Sequence, residues 1–166
     1  MCLTTTDRYP NTAKSPKTCY KVVECVLDKK GRKICLKAAI MSSHIYTLDY
    51  TYRLSGTAKK HFPMSNRFYT PGDSEKDQLY ISIYRGFHSY KRLSDARYDC
   101  KEWYNNNNAF FGRHFIVVKC EIPEGAHYWT GNRDRDTGYE EFCSDEIRVV
   151  GIYDEKTRKW MRQLRP

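Results

Sequence analysis
The run Phe115-Ile-Val-Val-Lys-Cys-Glu-Ile122 constrains this chain more than any other segment. It is rich in β-branched residues and is stopped by Pro123-Glu-Gly125, so it reads as a buried β-strand. A buried strand needs neighbours, and the sequence offers several. Tyr20-Lys-Val-Val-Glu-Cys-Val-Leu27 runs into a turn at Asp28-Lys-Lys-Gly31 and returns over Arg32–Met41, which predicts a hairpin. His44–Leu54 alternates, with Tyr46, Leu48, Tyr50, Tyr52 and Leu54 on one side, and predicts a third strand broken at Ser55-Gly56. Leu79, Ile81 and Ile83 alternate with Tyr80, Ser82 and Tyr84. Ile147–Tyr153 is another strand, and Asp154–Lys156 turns it into a last strand or a short helix through Trp160 and Leu164.

One stretch has a helical period. Leu93, Ala96, Cys100 and Trp103 fall at helical spacing, with Ser94 as N-cap, and Asn105–Asn108 ends the helix because Asn side chains compete for backbone bonds. The expected fold is α+β, dominated by antiparallel sheet with one main helix over about residues 93–104. Residues 1–17, with Pro10 and Pro16 and no period, read as an extended N-terminal arm; 18–166 read as a single α+β domain, which suits a 166-residue chain. Residues 57–77 read as a long loop, and a second loop runs through Gly131, Asn132 and Gly138.

Charge narrows the function classes. The net charge is +9, and residues 1–83 carry most of it, with 14 Lys and Arg against 7 Asp and Glu. A second basic segment, Lys156, Arg158, Lys159, Arg162 and Arg165, contains no acid. That balance favours anionic partners. No apolar run is long enough for a membrane helix. The polar N-terminus lacks the apolar stretch of a secretory signal, so a cytoplasmic protein with reduced thiols is expected. Among the seven cysteines, Cys25, Cys35 and Cys120 lie in apolar runs and read as core residues. The cysteines lack the paired spacing of a zinc site. Asn132–Gly138 interleaves Arg with Asp, which opposes calcium. Phosphate-loop, dinucleotide and hydrolase motifs do not occur, so neither a metal nor a cofactor is expected.

Three constellations are candidates for chemistry. Tyr84-Arg85-Gly86-Phe87-His88-Ser89-Tyr90 reads as a strand-to-helix turn. Arg85 forks onto phosphate, His88 titrates near neutrality, Ser89 adds a hydroxyl, and Tyr84 and Tyr90 offer faces for stacking on a base. Glu140-Glu141-Phe142-Cys143-Ser144-Asp145-Glu146 reads as an acidic loop before a strand, whose carboxylates act as acid or base or, through Asp145 or Glu146, take ribose hydroxyls, with Ser144 and Asp145 as ligand contacts. Lys59-Lys60-His61 to Arg67-Phe68-Tyr69 interleaves basic and aromatic residues.

Met1-Cys-Leu-Thr-Thr5, the Tyr84–Tyr90 segment, Val117-Val-Lys-Cys-Glu-Ile-Pro-Glu-Gly125, Tyr128 with Gly131, and Ser144-Asp145-Glu-Ile147 together resemble a family of small uncharacterised proteins of gut bacteria and their phages. The resemblance implies a cytosolic, phage-encoded protein of the kind that counters host defence by sequestering nucleotide signals. A fainter likeness is to the ADP-ribosyltransferase fold, whose ordered Arg or His, Tyr and Glu correspond to Arg85 or His88, Tyr128 and Glu146. The resulting expectation is a protein that binds an anionic nucleotide without turnover. The alternatives are an enzyme acting on a nucleotide or NAD through His88 and Glu146, and a basic protein that binds nucleic acid or a host protein.

Overall fold
The structure, a computed structural model, describes residues 3–7, 9–27, 33–39, 44–62, 66–68, 80–83, 85–106, 112–132 and 138–161. The first six strands are β1 (Leu3–Thr5), β2 (Asn11–Thr12), β3 (Lys17–Leu27), β4 (Lys33–Ala38), β5 (Ile45–Tyr46) and β6 (Thr51–Arg53). Helix α1 (Gly56–His61) precedes β7 (Asn66–Phe68), β8 (Tyr80–Ile83) and β9 (Phe87–Tyr90). Helix α2 (Leu93–Asp99) leads to β10 (Phe115–Ile122), β11 (His127–Asn132), β12 (Glu140–Ser144), β13 (Glu146–Asp154) and β14 (Lys159–Met161). The strands form one sheet in the order β14-β13-β10-β3-β9-β12-β11-β1-β8-β7, and every pairing between named strands is antiparallel. The fold is α+β and mostly antiparallel sheet, as expected.

The centre is the pair β3–β10, in continuous register from Phe115↔Glu24 to Ile122↔Lys17. Side chains alternate across a strand, so the pair has two faces. Cys19, Lys21, Val23 and Cys25 share one with Ile116, Val118, Cys120 and Ile122. On that face the core is completed by Leu36, Tyr46, Tyr52, Phe142, Ile147, Val149 and Ile152. Tyr20, Val22, Phe115 and Val117 occupy the other face, where Ala96, Cys100 and Tyr104 cover them.

The sheet cannot be flat. β12 ends at Ser144 and β13 starts at Glu146, so a single residue joins them. In sheet order they stand four strands apart, which in a flat sheet is about 19 Å at about 4.8 Å per strand. Two residues of chain reach roughly 7 Å. The sheet therefore coils around the first face and brings β12 back beside β13. Asp145 staples this crossover. Its amide donates to the His127 carbonyl, its carbonyl accepts from the Leu54 amide, and its carboxylate accepts from the His127 amide at 2.8 Å.

Several expectations change. The segment expected as an arm is part of the sheet: β1 lies between β11 and β8, Leu3 is fully buried, and β2 pairs with β11. Strands of two or three residues show no readable period. The expected third strand splits into β5 and β6, because Asp49 takes a left-handed conformation (φ 61°) and leaves Tyr50 exposed between buried Tyr46 and Tyr52. The stretch expected as a loop through Gly131 holds β11, and Gly131 passes so close to Thr4 that a Cβ would meet its backbone. Helix α2 has Arg92 as N-cap; the Ser94 hydroxyl donates to Asp95 instead. After Asp99 the helix widens into a π-helical turn, Cys100–Asn105. It ends where expected because the Asn105 side chain bonds both the Cys100 carbonyl and the Phe115 amide. The expected turn at 28–31 lies outside the described residues, while the hairpin it joins is present as β3 and β4. The C-terminal alternative resolves as a strand, β14.

Candidate functional site
The Tyr84–Tyr90 segment is mostly strand, which corrects its reading as a strand-to-helix turn. β9 sits inside the sheet between β3 and β12, with His88 opposite Cys143 and Tyr90 opposite Glu141. Aromatic and polar residues alternating with period two suit a pleated surface better than a turn. Gly86 makes the entry into β9 tight. Its φ is +139°, and a Cβ there would lie 2.8 Å from the Phe62 ring and 3.0 Å from the Ser144 carbonyl, and would overlap the Cys143 sulfur. Only glycine lets the backbone pass against both β12 and the end of α1.

The electrostatic centre is a residue that sequence reading missed. Lys21 projects onto the core-side face of β3. Its ammonium donates to the His88 carbonyl and lies 5.8 Å from the Tyr46 ring centroid. Among the described residues, its polar partner is a carbonyl; no carboxylate pairs with it. Burial works against the charge, whereas Tyr46, Cys120, Cys19 and Cys143 favour it as they ionise. The net shift is upward. A lysine at an inward position of Cys19-Tyr-Lys-Val-Val-Glu-Cys25 was the sequence signal for it. Strand alternation alone places it among core residues.

The imidazoles respond to that charge. His44 packs edge-on against Tyr46 and Tyr52, with ring centroids 5.0 and 4.7 Å away. Its Nε2 is buried with no hydrogen-bond partner. Burial and the Lys21 charge both hold its pKa below the ordinary value. The His88 Nε2 lies 3.6 Å from the Cys143 sulfur, which also donates to the Arg85 carbonyl at 3.4 Å. Burial pushes the Cys143 thiol well up, and Lys21 pulls it back only in part. Cys143 is therefore a protonated donor that braces the entry to β9. Burial also pushes Cys120 up, opposite Cys19 across β3–β10. Cys25 and Cys120 are buried as expected, while Cys35 is half-buried.

The residues singled out from sequence separate into two groups. Arg85 is exposed. Of the arginines whose side chains are described, Arg53, Arg92, Arg97, Arg113 and Arg148 are in ion pairs, and Arg85 and Arg158 are not. Arg85 stands three residues before the carbonyl that Lys21 holds, at the entry to β9. Ser89, Tyr90, Ser144 and Asp145 have internal roles. The Ser89 hydroxyl is buried beside Cys19, and the Tyr90 hydroxyl donates to buried Asp99 at 2.6 Å. Ser144 donates to the Glu146 carbonyl, and Asp145 holds His127.

The acidic segment expected as a loop is strand β12 leading into β13, with Glu141 buried. Glu146 is held by Arg53 at 2.9 Å on neighbouring β6. Tyr128 is half-buried beneath the Lys17 ammonium, 5.2 Å from its ring centroid. Tyr84 lies outside the described residues, as does Tyr69. In the basic and aromatic segment, Lys59 is exposed on α1, and only the backbone of Arg67 and Phe68 is described, in β7.

Among the described residues, no helix is long and apolar enough to cross a membrane. Compared with protein-family models, curated proteins and solved structures, the chain matches none.

Proposed function
We propose that this chain binds an anionic nucleotide-type ligand at the entry to β9 and holds it without turnover. The observation that carries the proposal is Lys21: an ammonium on the core-side face with a carbonyl and an aromatic ring around it and no carboxylate among the described residues. A half-buried cation with no carboxylate partner has its desolvation only partly offset, and an anionic ligand would supply the missing charge. The unpaired guanidinium of Arg85 and the neutral imidazole of His44 stand ready as a phosphate fork and a polar contact. Binding without turnover is supported by the state of the candidate catalytic groups. Glu146 is bound to Arg53, and the His88 Nε2 faces the protonated Cys143 thiol at 3.6 Å. In the setting that the family resemblance implies, the ligand is a nucleotide signal of host defence and the protein acts in the host cytosol.

Thermal-shift measurements with mono-, di- and cyclic nucleotides, and with inorganic phosphate as a separate arm, test the proposal. A nucleotide at a hundred times its Kd adds about 2.7 kcal/mol of stability. Lys21→Met is expected to abolish that shift while leaving the free protein about as stable as wild type, since apolar replacement of a half-buried charge with no carboxylate partner removes its desolvation cost. No shift with any nucleotide at millimolar concentration, or an undiminished shift in Lys21→Met, would overturn the proposal. A shift with phosphate equal to that with nucleotides would show that the base is not recognised.

A further inference from the structure
A second surface lies on the opposite face of the sheet, over β3, β10, β13 and β14. Register aligns Tyr20 with Lys119 and Lys119 with Gly151, and Trp160 is opposite Tyr153 on the neighbouring strand. Gly151 has no side chain to stand between them. A Cβ there would sit 3.6 Å from the Trp160 ring and 3.9 Å from the Lys119 Cβ. The indole therefore lies across the sheet and stacks on Tyr20, with centroids 5.9 Å apart and planes at 23°. Tyr153 closes the row 5.0 Å from Trp160. Tyr153 is buried and Tyr20 half-buried beside the cluster under α2, whereas Trp160 is 38% exposed, so the indole is the open member of the row.

Cations border the rings. Lys119 rises from the strip itself, and Lys156 and Arg158 are exposed in the β13–β14 turn. None of the three makes an ion pair among the described residues. Of the acids nearby, Glu155 is held by Arg97 at 2.8 Å, Asp154 caps the turn through Thr157 and the Lys156 amide, and Glu121, on the same face of β10 as Lys119, lies away from the turn, opposite Arg148. An open indole backed by tyrosine rings and bordered by unpaired cations has the chemistry that recognises bases joined by phosphates. Flat faces take the bases, and the cations follow the backbone. Duplex nucleic acid keeps its bases stacked inside and cannot use the rings.

We infer that this face binds single-stranded nucleic acid, with Trp160 as the stacking platform and Lys119, Lys156 and Arg158 as phosphate contacts. The site is separate from the Lys21 site and does not depend on it.

Fluorescence anisotropy of the full chain with labelled dT and rU oligomers, and with a duplex of equal length, tests the inference. Single strands are expected to bind more tightly than duplex. About three phosphate contacts predict a roughly twentyfold loss of affinity between 50 and 200 mM salt. Trp160→Leu keeps an apolar cover on Gly151 and removes the aromatic face, and is expected to weaken binding about tenfold. Lys156→Ala, at an exposed turn position where folding is not at stake, is expected to flatten the salt dependence by about one unit of slope. Failure of both single strands to bind at low salt would overturn the inference. So would duplex binding as tight as single-strand binding, or unchanged affinity in a folded Trp160→Leu variant.

Discussion

His44 shows how one charge shapes its neighbourhood. Its lowered pKa means that the folded protein resists protonating it, with burial as the larger cause and Lys21 as the second. Below the unfolded His value of about 6.5, the unfolded chain binds a proton that the folded chain does not. The stabilisation is therefore complete above that pH and is lost progressively as pH falls from it toward the lowered folded value. Urea midpoints measured from pH 7.5 down to 5 are expected to fall for wild type and to fall less steeply for His44→Phe. Coincident slopes would show that His44 is not the titrating group. Glu24 acts in the same sense over a more acid range. The Arg113 hydrogen bond holds its carboxyl below the ordinary value, so that stabilisation is lost only in more acid solution.

Among the elements, the β12–β13 crossover is the most demanding, because one residue makes the connection. Asp145 supplies two backbone bonds and a carboxylate acceptor there. Asp145→Ala keeps the backbone bonds and removes the acceptor from the His127 amide. The expected cost is about 2 kcal/mol, typical of a hydrogen bond to a charged group. At this chain length that corresponds to a fall in Tm of roughly 4–8 °C. Asp145→Asn retains an acceptor and is expected to lose less. Equal melting temperatures for wild type and Asp145→Ala would remove the stapling role. The same crossover explains why a segment that reads as a solvated acidic loop lies inside the sheet. Glu141 is buried by the coil of the sheet around it, and nothing in Glu140-Glu141-Phe142 announces that burial.

At the scale of the whole molecule, the first strand matters beyond its length. β1 fills the gap between β11 and β8, and Leu3 packs with Phe62, Ile83, Trp129 and Cys143. Leu3→Ala is expected to cost about 3 kcal/mol, as for other large-to-small changes in a core. Chemical denaturation would report it, and a change below about 0.5 kcal/mol, the usual range for surface positions, would show that β1 is peripheral.

The long elements were legible from sequence because each carries its own signal. Phe115–Ile122 is a strand by composition and stop residues, and it pairs along its full length with β3. The helix at Leu93 was legible from its period. Short strands were not, since two or three residues hold no period. The site was legible only in outline. Arg85 was visible as an unusual residue, whereas the internal roles of Ser89, Tyr90, Ser144 and Asp145 depend on partners distant in the chain.

The sequence alone determined the α+β class, the central strand pair, the helix and the excess of positive charge, because these rest on local pattern and composition. Tertiary structure alone decided where that charge works. The coil of the sheet placed Lys21 among core residues with no carboxylate beside it, freed Arg85 at the entry to β9, and laid Trp160 across Gly151. Each of these depends on contacts between residues far apart in sequence, and no local pattern encodes which distant side chains will meet.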